Sequence, residues 1–105
     1  MDDRSLVRRA QLPLRSGYVA PRTPTEARLA AIWTEALSMD RVGVEDRYGD
    51  LGGDSFLAVV IFTMISEAFE IDVRLTLLGQ APTIAALAPR IEALIKARAS
   101  ATGDD

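Results

Sequence analysis

The sequence predicts an all-α domain: a small four-helix bundle of three long helices and one short one, with a long loop between helices 1 and 2. Three observations carry that expectation. Apolar residues recur at helical spacing in three stretches, beginning near residues 24, 55 and 84. Each stretch opens on threonine, aspartate or serine, the residue types that cap helices. The one segment alternating with period two, Ile71-Asp72-Val73-Arg74-Leu75, finds no second segment to form a ladder with. A chain of 105 residues, 49% hydrophobic, suffices for one modest core.

Residues 1–22 lack sustained periodicity and contain Pro13, Gly17 and Pro21, so they read as a flexible leader or linker, with Leu12 and Tyr18 available to dock on the body. The domain proper is expected over 23–98. Thr23-Pro24-Thr25-Glu26 starts helix 1: Thr23 at the N-cap, Pro24 at N1 and Glu26 at N3 to complete a capping box. Leu29, Ile32, Trp33, Ala36 and Leu37 then form one stripe over about 24–38, with Trp33 a core residue. The connection from Met39 to Asp54 is too long for a plain bundle turn. Val42, Val44, Tyr48 and Leu51 are its apolar anchors, and its acids, which miss the spacing of a calcium loop, read as a solvated surface. Helix 2 is expected over about 55–69. Residues 71–75 read as an extended connector with apolar side chains inward, and Thr76–Gly79 as a single helical turn. Thr83 caps a last helix carrying Ile84, Leu87, Ile91, Leu94 and Ile95; Pro89 inside it implies a kink or a later start. Residues 99–105 read as a disordered tail.

Composition excludes several activities. Without cysteine there is no disulfide framework, thiolate nucleophile or Cys-ligated metal. Without histidine the usual general base and the commonest metal ligand are missing, and a Ser-His-Asp hydrolase is ruled out. No catalytic residue and no metal site is therefore expected. The first 22 residues carry five arginines against two aspartates, +3, so the net charge of −3 leaves −6 on the remainder. That sign suits basic docking surfaces rather than nucleic acid. No apolar run reaches the 18 residues of a membrane span and no signal peptide is visible, which points to the cytoplasm; a monomer is expected.

The stretch Asp50-Leu51-Gly52-Gly53-Asp54-Ser55 stands at the entrance of helix 2. Its glycines permit positive φ, and either Ser55 or Asp54 can cap the helix. Ser55 is thereby presented beside a helix N-terminus, where an anion is favoured. A phosphate-binding loop would need a lysine after the glycines and a strand before them, and neither is found. Behind Ser55, Thr63 alone interrupts the apolar run from Phe56 to Ile65, more than a surface helix requires. Ala58, Ile61, Phe62 and Ile65 share one face and form the core set. Phe56, Val59 and Thr63 fall on another face and are the candidate partner contacts. One reading is an unmodified helical interaction domain that docks through this patch.

Three stretches carry a resemblance. Thr23-Pro-Thr-Glu-Ala-Arg-Leu-Ala-Ala-Ile-Trp33, Asp50-Leu-Gly-Gly-Asp-Ser-Phe-Leu-Ala58 and Ala81-Pro-Thr-Ile-Ala-Ala-Leu-Ala88 resemble, in order and spacing, the peptidyl carrier (thiolation) domains of nonribosomal peptide synthetases, in the acyl carrier protein superfamily. The resemblance implies an acyl-carrier-type four-helix bundle and a non-catalytic carrier in natural product biosynthesis. It makes Ser55 the attachment point of 4′-phosphopantetheine, moved covalently from coenzyme A by a phosphopantetheinyl transferase. Leu51, Gly52, Gly53 and Asp54 become the motif around it, with the glycines leaving room for the transferase. An adenylation enzyme and condensation or tailoring enzymes would be the other partners. Gly49 and Gly79 stand where aromatics are usual, and Pro89 interrupts the last helix; all three depart from the family pattern. Leu6 to Pro13 is reminiscent of the linker that follows an adenylation domain. No lysine precedes Lys96, which favours a free-standing carrier over an excised module fragment.

Overall fold

A computed structural model describes residues 6–15 and 17–103. Residues 1–5 and 16 of the expected leader, and 104–105 of the expected tail, lie outside the described residues. The elements are α1 (Pro24–Leu37), α2 (Ser55–Phe69), α3 (Leu77–Gln80) and α4 (Ile84–Gly103), with 3-10 turns at Arg9–Gln11 and Gly49–Leu51. α1 packs on α2 and on α4. Leu29 and Trp33 of α1, Ile61 and Ile65 of α2, and Ile84, Leu87 and Ile91 of α4 are fully buried between them. Each such side chain contributes about 1.5–3 kcal/mol by leaving water. Their spacing of three and four residues is what made the helices legible.

The starts of the helices follow their caps, with one addition. Thr23 Oγ1 accepts the Glu26 N–H at 3.1 Å. The Glu26 carboxylate faces the N–H of Thr23, as a capping box requires, and also accepts the N–H of Arg22 at 2.8 Å, while the Arg22 guanidinium closes on it at 2.8 Å. α1 stops at Leu37 because Ser38 turns left-handed at φ 55°. Thr83 Oγ1 accepts the Ala86 N–H at 3.1 Å, and α4 starts at Ile84 and runs through Pro89, so the later start does not occur. It also continues five residues past Arg98, where a disordered tail was expected. The Ala97-Arg-Ala-Ser-Ala101 run favours helix strongly enough to extend it. In the connector, Ile71 is buried and Val73 half-buried, but Leu75 is exposed rather than inward. The chain is already turning there, with Leu77 N–H on Arg74 O and Leu78 N–H on Leu75 O.

The described part of the leader does not hang free. It forms a strap against the long loop: Val7 donates to Ser38 O at 2.7 Å and accepts from Asp40 N–H at 2.9 Å, and Val44 donates to Val19 O. Arg9 grips Asp46 through two parallel bonds, Nε to Oδ2 and Nη2 to Oδ1, both 2.6 Å. Asp46 is 2% exposed and also accepts the Gly43 N–H, so it is a buried anchor and not part of a solvated acidic surface. Arg9 and Arg41 lie over the ring of Tyr18 at 5.5 and 4.0 Å, and Leu12 rests half-buried on the core. Val42, Val44, Tyr48 and Leu51 are buried beneath the loop, as its apolar pattern required, and Met39 joins them.

Candidate functional site

The loop reaches α2 through two tight steps. The 3-10 turn Gly49–Leu51 buries Leu51 and ends at Gly52, whose φ of +88° belongs to the region that glycine alone enters at no steric cost. Gly53 follows directly over the ring of Tyr48. A Cβ on Gly53 would stand 2.2 Å from Tyr48 Cζ, so no larger residue fits while that ring is in place. The space left by Gly53 is thus filled from below by Tyr48, and not held open for an incoming enzyme. Open space exists at Gly52 instead.

Asp54 is the N-cap of α2: its Oδ1 accepts the Leu57 N–H at 2.9 Å, while its backbone carbonyl accepts the Ala58 N–H at 3.0 Å. Ser55 is therefore the first residue of the helix, exposed to solvent, and among the described residues no group engages its hydroxyl. Beside it the free N–H groups of the first turn carry partial positive charge. An anionic group on Ser55 Oγ would be favoured by that charge, against repulsion from the neighbouring Asp54 carboxylate, and would face open solvent. The arrangement fits a phosphodiester-linked arm.

The two faces of α2 separate as its periodicity predicts. Ala58, Ile61, Phe62 and Ile65 are buried, whereas Phe56 is 72% and Val59 51% exposed. Thr63 is exposed too, but its hydroxyl donates back to Val59 O at 2.8 Å and offers methyl rather than hydroxyl to a partner. Two residues that the sequence did not assign to this face join it. Val73 and Leu75 of the connector form, with Val59 and Thr63, a shallow groove of about 410 Å³ along α2. The period-two pattern assigns Leu75 inward, which conceals its place on this face.

Tyr48 was legible as a loop anchor only. In the structure its hydroxyl donates to Asp54 O at 2.8 Å, its ring stands edge-on to Trp33 with centroids 5.5 Å apart, and its N–H reaches Pro82 O at 2.8 Å. At Gly49, by contrast, a Cβ would meet nothing within 4 Å. Among the described residues no cluster of His, Cys, Asp or Glu could hold a metal ion, and no helix is long and apolar enough to cross a membrane.

Four helices with a solvent-facing serine at the head of the second, flanked by an apolar face, define a carrier-type bundle. The family model described as a phosphopantetheine attachment site matches residues 27–91, and the chain belongs to that family. It is similar to stretches of nonribosomal peptide synthetases. Tyrocidine synthase 3 of Brevibacillus parabrevis is 44% identical over 79 residues, 75% of this chain and 1% of that protein. The dimodular nonribosomal peptide synthase of Bacillus subtilis (strain 168) is 46% identical over 72 residues, 69% of this chain and 3% of that protein. The chain thus spans only a few hundredths of the length of these relatives. Among solved structures, a chain of the complex of the phosphopantetheine transferase Sfp with coenzyme A and a peptidyl carrier protein superposes with TM-score 0.70 at 30% identity, covering 72% of this chain and 99% of that one. BlmI, a type-II acyl carrier protein from Streptomyces verticillus involved in bleomycin biosynthesis, superposes with TM-score 0.64 at 30% identity, over 66% of this chain and 83% of that one.

Proposed function

We propose that Ser55 is the attachment point of 4′-phosphopantetheine and that the chain is a non-catalytic, monomeric carrier of aminoacyl or peptidyl groups in nonribosomal peptide synthesis. The observation that carries this reading is the presentation of Ser55: first residue of α2, exposed, its hydroxyl unengaged, framed by Gly52, Gly53 and Asp54. In the loading step Ser55 Oγ attacks the pantetheine-side phosphorus of coenzyme A. The P–O bond to the nucleotide bisphosphate breaks, and the serine proton passes to a base of the transferase. This chain supplies only the positioned hydroxyl, in keeping with its lack of histidine. Once attached, the arm contributes a terminal thiol that holds cargo as a thioester, which a cysteine-free chain cannot do itself.

Phe56, Val59 and Thr63, with Leu75, are the surface we assign to the transferase, the adenylation enzyme and the condensation or tailoring enzymes. The carrier works where those enzymes are, in the cytoplasm. The test is intact-mass analysis after incubation with coenzyme A and a broad-specificity phosphopantetheinyl transferase. The expected result is one phosphopantetheine added to the native chain and none to Ser55→Ala. Absence of the adduct on the native chain, or its persistence on Ser55→Ala, would falsify the assignment.

A further inference from the structure

We propose that Tyr48 is a positioning residue for the modification of Ser55, acting through the hydrogen bond from its phenol to the Asp54 carbonyl. The proposal rests on the assignment of Ser55 as the attachment point. A carbonyl oxygen has two lone pairs. That of Asp54 uses both, one for the Ala58 N–H at 3.0 Å and one for the Tyr48 hydroxyl at 2.8 Å. The first is the opening bond of α2, the turn at which helices fray most readily. The second comes from outside the helix. Because the peptide unit is planar, holding the Asp54 C=O also holds the Ser55 N–H, and with it the direction in which Ser55 leaves the backbone.

Tyr48 itself has little room to move. Its N–H is bonded to Pro82 O at 2.8 Å, its carbonyl accepts the N–H groups of Leu51 and Gly53 at 3.2 Å each, and its ring is buried. One edge contact ties that ring to Trp33, which is fully buried in α1. Gly53 lies so close to the ring that a methyl group could not be inserted between them. A rigid strut thus runs from the centre of the bundle to the peptide bond preceding Ser55. Burial and the neighbouring Asp54 charge push the phenol above its ordinary value, so the hydroxyl keeps the proton it donates throughout the pH range of a loading assay.

Tyr48→Phe removes the tip of the strut and keeps the ring. Initial rates of loading would be measured by intact mass, with coenzyme A and a broad-specificity transferase, at temperatures where both proteins are fully folded by circular dichroism. The apolar docking face is untouched by the change. The expected outcome is therefore a kcat lower by about five-fold, the size of one neutral hydrogen bond, with the KM for the carrier within about two-fold. The Ala58 amide, which shares the Asp54 acceptor, should exchange with solvent faster by a similar factor. An unchanged kcat or an effect confined to KM overturns the proposal. If the native chain takes up no arm at all, the assignment of Ser55 has failed instead. The Ala58 exchange rate then still decides whether the strut exists: an unchanged rate in Tyr48→Phe removes it.

Discussion

Phe56 follows Ser55 directly and exposes most of its ring, while Ala58, two residues on, is buried. That contrast separates the residues that α2 needs for folding from those it offers to partners. Phe56→Ala and Val59→Ala should change unfolding free energy by no more than about 0.5 kcal/mol, as surface substitutions do, yet lower kcat/KM for loading on the order of ten-fold. Ile61→Ala, at a fully buried position, should lose about 2–5 kcal/mol. Chemical denaturation beside loading kinetics checks all three. This division could be read from the sequence because a helix repeats every 3.6 residues, and burial follows the repeat. The bond from Tyr48 to Asp54 could not. It depends on the left-handed step at Gly52, which brings residue 54 back over residue 48. Spacing alone carries no trace of that return.

At the scale of the element, α2 is secured at its two ends by different means. Its start is capped locally by Asp54, and Asp54→Ala should cost about 1 kcal/mol. Its end has no basic residue of its own in the last turn, and the chain leaves it through Glu70 in the left-handed conformation at φ 56°. The exposed carbonyls there are met by neighbours. Arg28 of α1 donates to Ala68 O at 2.8 Å and lies over the Phe69 ring, and Arg98 of α4 donates to Glu70 O at 2.9 Å. Cations at a helix C-terminus are favourable in energy, and here they also join three helices at one corner. The caps were legible because Asp54, Thr23 and Thr83 lie within three residues of the groups they satisfy. Arg28 and Arg98 are 40 and 28 residues from their acceptors, and in sequence they look like ordinary surface charges.

For the whole molecule, the strap alters what counts as the folding unit. The family match begins at residue 27, but Arg9 supplies the buried partner of Asp46. Arg9→Ala leaves that carboxylate enclosed and unpaired, and a loss of about 3–5 kcal/mol is expected by urea denaturation. Replacing Arg9 and Asp46 together by apolar residues should recover most of it, which distinguishes the stranded charge from lost packing. Two carboxylates with lowered pKa tie the fold to pH. Arg22 holds Glu26 below its ordinary value, and the Arg9 N–H does the same for Asp40. A depressed carboxyl stabilises the fold above its unfolded pKa, about 4, and that stability fades as pH falls through the lower folded value. The urea midpoint should therefore drop with acidification below about pH 4, and less steeply in Glu26→Gln. Leu12 and Tyr18 are the leader's one sign of this order, because an extended strap is fixed by long-range bonds rather than by a repeat.

Trp33 is the only indole in the chain; it is wholly enclosed and lies edge-on to Tyr48. Its Nε1–H has no acceptor among the described residues. An indole so placed emits at short wavelength, and the ring it touches is the one that braces the entrance to α2. Light absorbed deep in the bundle thus reports on a turn at its surface. A partner that shifts Tyr48 should therefore change the emission of Trp33, which a fluorescence titration of the native chain with the transferase would measure, with no dye attached.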